Sequence, residues 1–213
     1  MPRKPGPQIT AADVVGAAAV VLARDGYDGL TMRAVATELG VRAPSLYWHV
    51  KSKDDLSLLL FDHLIDNLDY AAPSGDWRGD LRRMAERLRA RLVGTRDITR
   101  LFPESYASGP RATRSLELGL GLLRQAGLPA AEALHAYGVA LSFIVGWSRF
   151  EVTRRANEAM ATPAEVPDFH ALPNLAWAVA GGGAQPGYDD GFRYGIDLLI
   201  AGLEQRLDKS PAR

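Results

Sequence analysis

The stretch Leu30–Leu56, "LTMRAVATELGVRAPSLYWHVKSKDDL", decides the fold. Thr31 has the side chain of an N-cap, and Met32, Val35, Ala36 and Leu39 repeat at helical spacing behind it. Gly40 ends that helix, because glycine accepts the left-handed conformation that closes a helix. Val41 and Arg42 leave room only for a tight turn before Pro44, which suits the first turn of a very short helix, "PSLYWHV". Ser52 caps the next helix, with Asp54 and Asp55 placed well against its N-terminal dipole. Helix, Gly-containing turn and second helix at this spacing form a helix-turn-helix. The second helix of such a pair turns its first residues toward base edges in a DNA major groove. Here those positions hold Arg42, Ala43, Ser45 and Tyr47, with Trp48 and His49 on the following turn. Arg can bond guanine through both prongs, Ser donates or accepts, and Ala offers a methyl to thymine. Leu46 and Val50 are expected to face inward. Trp48 admits two readings, contact with DNA or a wedge against neighbouring helices, and His49 can equally serve as a helix C-terminal cap.

Outward from this stretch the chain reads as helix almost throughout. Thr10 and Asp13 open a first helix with Val14, Ala18, Val21 and Leu22 on one face, and Gly26 ends it. Leu56, Leu59, Leu60 and Leu64 stripe the helix after Ser52. Trp77, Leu81, Met84, Ala85, Leu88 and Leu92 stripe an amphipathic helix whose outer face is rich in Arg, read as a solvated face. A Leu-rich helix covers 111–126, and Pro129 opens a long one that is apolar nearly all round from Ala133 to Trp147, so it must be covered on most sides. From Ala161 to Gly187 Pro and Gly dominate and predict loop, with a short helix near Leu172 to Val179. Phe192, Ile196, Leu199, Leu203 and Leu207 stripe the last helix. No strand-like alternation occurs, so the class is all-α with nine or ten helices.

Composition narrows the function. The 213 residues include no Cys, which excludes disulfides, thiolate chemistry and Cys-ligated zinc. The first residues lack a secretory apolar core and no apolar run is free enough of charge to span a membrane, so a cytoplasmic protein is expected. Net charge is zero, yet residues up to Lys53 carry seven basic against four acidic side chains, a net of +3 that the remainder offsets. A basic head on an acidic body suits one part that meets phosphate and one that does not.

With these residues in hand, the run G-V-x-x-x-x-L-Y-x-H-V-x-x-K-x-x-L from Gly40 to Leu56 resembles the N-terminal domain of the TetR (tetracycline repressor) family. Trp77, "TRD" at Thr95–Asp97, "GLPAAEAL" and "GIDLLIAGLEQRL" resemble the subgroup with a tetracycline-repressor-like C-terminal domain. The resemblance implies a three-helix DNA-binding domain over 1–53 and a larger helical ligand-binding and dimerisation domain over 54–210, with 54–69 as a linking helix. It implies a homodimer on a palindromic double-stranded operator, released when a small effector shifts the linking helix. Residues matching Thr31, Arg33, Arg42, Ala43, Ser45, Tyr47, Trp48, His49 and Lys53 lie at or near DNA in the family, and Lys53 matches a contact to the strand backbone. The two long apolar stripes near the C-terminus suit helices packed across a dimer axis as a four-helix bundle.

The effector is less defined. Tetracycline-binding members hold a magnesium–drug complex through a histidine after the fifth helix, and no histidine lies between His63 and His135. Met84 and Leu88, inward on that helix, are apolar. This argues against a tetracycline and against a metal requirement, and no cofactor is expected. Rings and polar groups among the amphipathic helices, namely His63, Asn67, Phe102, Tyr106, Tyr137, Phe143 and Trp147, are the candidate contacts for an apolar or aromatic molecule. Two rival readings are an all-helical protein-interaction module and a metal-dependent enzyme built on Asp62, His63, Asp66 and Asp69. Two ligands on one helix face do not close a metal site, so no enzyme is expected.

Overall fold

The computed structural model describes residues 9–65, 73–101, 110–160, 171–181 and 187–209, which include eight α-helices and two 3-10 turns. The elements are α1 (Ala11–Gly29), α2 (Met32–Glu38), a 3-10 turn Ala43–Trp48, α3 (Lys53–Leu64), α4 (Trp77–Gly94), a 3-10 turn Ile98–Arg100, α5 (Pro110–Gln125), α6 (Ala130–Glu158), α7 (Pro173–Ala180) and α8 (Tyr188–Lys209). Among the described residues there is no strand.

The caps read in the sequence form as chemistry requires. The Thr10 and Asp13 side chains each accept the other's backbone N–H, closing a capping box on α1. Ser52 accepts the Asp55 N–H at 3.0 Å, while the Asp55 carboxylate takes the Lys51 N–H at 2.8 Å. Gly40 adopts φ 67, and the amides of Gly40 and Val41 return to the carbonyls of Thr37 and Ala36. This Schellman arrangement satisfies the last carbonyls of α2 and aims the chain into the following turn. Gly26 also has positive φ, but α1 resumes beyond this kink and runs on to Gly29.

α1, α2, the Ala43–Trp48 turn and the start of α3 enclose a small core in which Val14, Ala18, Val21, Leu30, Val35 and Leu46 are fully buried. The body is built on α6, which contacts α4, α5 and α8. The apolar core is continuous between the two, passing through Leu60, Phe61 and Ile65 on the α3 side and Ile98 and Leu101 on the other.

The Arg-rich face of α4 is not merely solvated. α8 runs antiparallel to it, and an ion-pair ladder joins them: Arg78 to Glu204, Arg82 to Asp197 at 2.8 Å, Glu86 to Arg193 at 3.7 Å, and Arg89 to Asp189 at 2.7 Å. Arg89 also reaches Glu151 of α6, which is fully buried and whose second oxygen takes Arg155 at 2.7 Å. Burial pushes the Arg89 pKa down, but the hydrogen bonds to Asp189 and Glu151 outweigh it and hold the group more basic than usual.

The α6–α8 contact rests on rings seated against glycines. Trp147 and Phe143 lie over Gly191 and Gly195, where any added Cβ would collide with the rings, and Phe192 stacks on Phe143 with centroids 5.6 Å apart. Only four residues of the 29-residue α6 are buried: Ala133, Ile144, Ser148 and Glu151. Leu134, Val139 and Phe150 of α6, with Tyr194 and Leu198 of α8, remain more than half exposed. α7, over Pro173–Ala180, buries no residue.

Candidate nucleic-acid interface and effector cavity

The Ala43–Trp48 turn presents two chemically distinct sides. Leu46 and Val50 are fully buried and anchor it to α1 and α2. Arg42, Tyr47 and Trp48 point away from the core, Tyr47 at 53% exposure and Trp48 at 89%. Ala43, Ser45 and His49 are half-buried beside them. An exposure this high favours the contact reading of Trp48 over the wedge. The very short helix expected here is of the 3-10 type: the Ser45 N–H bonds the Arg42 carbonyl at 2.9 Å and the His49 N–H bonds that of Leu46 at 2.8 Å, with His49 as the C-cap.

The charges around the turn divide by partner. Arg24, at the far end of α1, is committed to Asp25 and Glu38. Among the described residues Arg33, Arg42 and Lys51 form no ion pair, and all three are exposed. Guanidinium and ammonium groups left without an internal counter-charge beside an exposed turn form a surface suited to phosphate. The Thr31 hydroxyl accepts the Ala34 N–H at 3.1 Å as N-cap of α2, which leaves its own hydrogen free to donate. Lys53 is half-buried: its ammonium lies 4.2 Å from the Tyr27 ring centroid and donates to the Tyr27 carbonyl at 3.2 Å. That partner was not legible from the motif.

In the body a cavity of about 360 Å³ lies between α4, α5, α6 and α8. Leu81, Met84 and Leu88 line it from α4, Gly119 and Leu123 from α5, Tyr137 and Ile144 from α6, and Ile196 and Leu199 from α8. Tyr137 fits against Gly119, which has no room for a side chain. The polar groups at the wall are Ser115, Tyr137, His135 and the Glu132–Arg206 ion pair at 3.3 Å. The walls are thus chiefly aliphatic, where the sequence suggested rings.

Of the residues expected to meet a ligand, Tyr137 lines this cavity. Phe143 and Trp147 are instead spent on the α8 glycines, and His63 is exposed on α3. Asn67, Phe102 and Tyr106 lie outside the described residues, as do Asp66 and Asp69. Asp62 is buried while its neighbour His63 is exposed, so the two do not converge on a common site.

The profile of the bacterial regulatory proteins of the tetR family matches residues 14–59, and that of the tetracyclin repressor-like C-terminal domain matches residues 71–207. This chain belongs to the TetR family. Among similar TetR-family proteins, an HTH-type transcriptional regulator of Saccharopolyspora erythraea is 32% identical over 205 residues, covering 92% of this chain and 85% of the relative. The class A tetracycline repressor of Escherichia coli is 30% identical, covering 91% and 89%. The structure of ActR from Streptomyces coelicolor in complex with actinorhodin superposes with a TM-score of 0.82 at 27% identity, covering 93% of this chain and 98% of that one. The chain is therefore a helix-turn-helix transcriptional regulator of a family whose members respond to ligands.

Proposed function

We propose that this TetR-family protein is a cytoplasmic repressor, not an enzyme, that binds a palindromic operator as a homodimer and leaves it when an apolar organic molecule occupies the body cavity. The observation that carries the reading is the two-sided turn: Leu46 and Val50 buried beneath, Arg42, Tyr47 and Trp48 exposed above, and Arg33, Arg42 and Lys51 exposed with no ion pair among the described residues. Arg42, Ala43 and Ser45 are assigned to base edges. Thr31, Arg33, Tyr47, Trp48, His49 and Lys53 are assigned to the sugar–phosphate backbone, which sets register rather than sequence. Residues 1–53 form the reading head and 54–210 the body, with 54–69 linking them.

The dimer is supported by α6 and α8, whose exposed apolar side chains resemble a core cut open. A two-fold pair of heads must stand about 34–36 Å apart to reach successive major grooves. An effector that favours a wrongly spaced state by about 1–3 kcal/mol is enough to release the operator.

The cavity supports an effector of drug-like size that is mostly apolar and carries one or two polar groups. Met84 and Leu88 at its wall offer no amide to a polar polyketide edge, which favours a molecule other than a tetracycline. A protein-bound operator, recovered by selection from random duplexes, tests this reading when challenged with a library of apolar and planar aromatic compounds. At least one compound should release the wild type and fail to release Ala140→Phe, which fills the cavity, while both proteins bind the duplex alike. Release that is equally effective with the cavity filled contradicts the assignment.

A further inference from the structure

The head and the body meet at the end of α1. Gly26, at φ 75, turns the chain there and sets Tyr27 and Asp28 against the segment that follows α4. No side chain fits at position 26, since a Cβ would stand 2.7 Å from an Asp97 carboxylate oxygen. That oxygen accepts the Tyr27 N–H at 2.9 Å, and Arg96 donates to the α1 carbonyls of Ala23 and Arg24 at 3.3 and 2.8 Å. The next turn brings Arg100, which grips both Asp28 oxygens at 2.8 and 2.9 Å and lies 4.5 Å from the centroid of the Tyr27 ring. The head's own Lys53 sits on that same ring.

Two cations, one from each part of the molecule, thus share one ring beside one carboxylate. An ammonium has three donors, and the Tyr27 carbonyl takes one of those on Lys53. Asp28 is near enough for the Lys53 charge to act on its carboxyl, so it is the acceptor that would compete with a phosphate for the other donors. Arg100 occupies it, and holds the Asp28 carboxyl below the usual range, with Lys53 adding to the field.

We propose that Arg100 is a positioning residue for DNA binding: by engaging both oxygens of Asp28 it keeps the Lys53 ammonium on Tyr27 and available to the strand, and displacing the Ile98–Arg100 turn hands Asp28 to Lys53 and withdraws that contact. The inference rests on the reading of Lys53 as a phosphate contact. The turn is well placed to be moved from the body. It follows α4, whose Leu88 lines the cavity, and Ile98 and Leu101 are buried in the shared core.

The test is fluorescence anisotropy of the full-length protein on a selected operator duplex, titrated from about 50 to 300 mM salt. Lys53→Met should weaken binding and flatten the salt dependence by about 0.9 per half-site. Arg100→Gln should weaken it about three- to fivefold per half-site, the scale of one exposed charge pair. Adding Asp28→Asn should restore the Arg100→Gln protein to within about twofold of Asp28→Asn alone, and Arg100→Gln should change nothing in the Lys53→Met background. Melting curves establish that each variant is folded; Arg100→Lys, which keeps the charge without the fork, carries the same cycle if Arg100→Gln is not. An Arg100→Gln loss that persists in full with Asp28→Asn or with Lys53→Met overturns the proposal, as does the absence of any loss. An unchanged salt slope in Lys53→Met overturns the phosphate-contact reading and the proposal with it.

Discussion

Glu151→Gln probes how the body is held together. Glu151 is fully buried on α6, and its oxygens meet Arg89 of α4 at 2.8 Å and Arg155 of α6 at 2.7 Å. Removing one partner of a buried pair costs about 3–5 kcal/mol when the other charge is left stranded. Arg89 would not be wholly stranded, because it keeps Asp189 at 2.7 Å and the face of Phe192 at 4.9 Å, and Arg155 is 54% exposed and can hydrate. Gln also keeps the volume and one acceptor. The expected loss for Glu151→Gln is therefore lower, about 2 kcal/mol, and for Glu151→Ala, which adds a cavity, about 4 kcal/mol. For a chain of this size 2 kcal/mol corresponds to about 4–8 °C in melting temperature. Urea unfolding followed by circular dichroism reads the change directly, at several protein concentrations, because subunit association contributes to the stability of a dimer. A midpoint for Glu151→Gln equal to wild type within about 0.5 kcal/mol would refute the reasoning that this pair ties α4 to α6.

Other outcomes follow from the same geometry. Trp48→Ala should leave the melting temperature nearly unchanged, within about 0.5 kcal/mol for an exposed site, while weakening operator binding; loss of folding instead would return Trp48 to a bracing role. Gly195→Ala drives a methyl into the Phe143 ring and should destabilise the protein by about 1–3 kcal/mol in a thermal melt; a neutral result would mean the α6–α8 seam is loose. The carboxyls of Asp28, Asp189 and Glu158 are all held low, chiefly by hydrogen bonds from Arg100, Arg89 and Tyr188 respectively. Because each folded pKa lies below its unfolded value of about 4, the stability they contribute is fully present above that value and is lost as pH falls through the lowered ones. The melting temperature should accordingly decline below about pH 4, and a profile that stays flat to pH 3 contradicts these pairings.

The head was legible because its signals are local. Thr10, Thr31, Ser52 and Gly40 act within four residues of themselves, the first three through a side-chain oxygen and Gly40 through its left-handed backbone. The alternation of Leu46 and Val50 against Tyr47 and Trp48 was enough to say which side faces inward. In the body the decisive partners lie far apart in the chain. Arg78 meets Glu204 and Arg89 meets Asp189, at least 100 residues away in the chain, so the Arg-rich stripe of α4 carries no local sign of the α8 carboxylates that pair with it. The cavity defeated residue-type reasoning for a related reason. Phe143 and Trp147 look like ligand contacts, but they fill the gaps left by Gly195 and Gly191, and only the helix register reveals that pairing. What remains to line the cavity is mostly aliphatic, a pattern that in sequence looks like any core. The Tyr27 ring escaped notice because nothing in its own neighbourhood says that Lys53 and Arg100 will meet on it.

DNA reading by the Ala43–Trp48 turn is tested most directly by a salt titration of the wild-type protein on a selected duplex and on a scrambled duplex of equal length. With Arg33 and Lys53 as the cationic backbone contacts of each head, four per dimer, log K should fall with log[salt] at a slope of about −3.6 or steeper. The selected site should be two-fold, with half-site centres about 10 base pairs apart, and should bind at least about 10³-fold tighter than the scrambled duplex. No binding to either duplex at about 50 mM salt, or equal affinity for both, would contradict the assignment of the Ala43–Trp48 turn as the reader of DNA sequence.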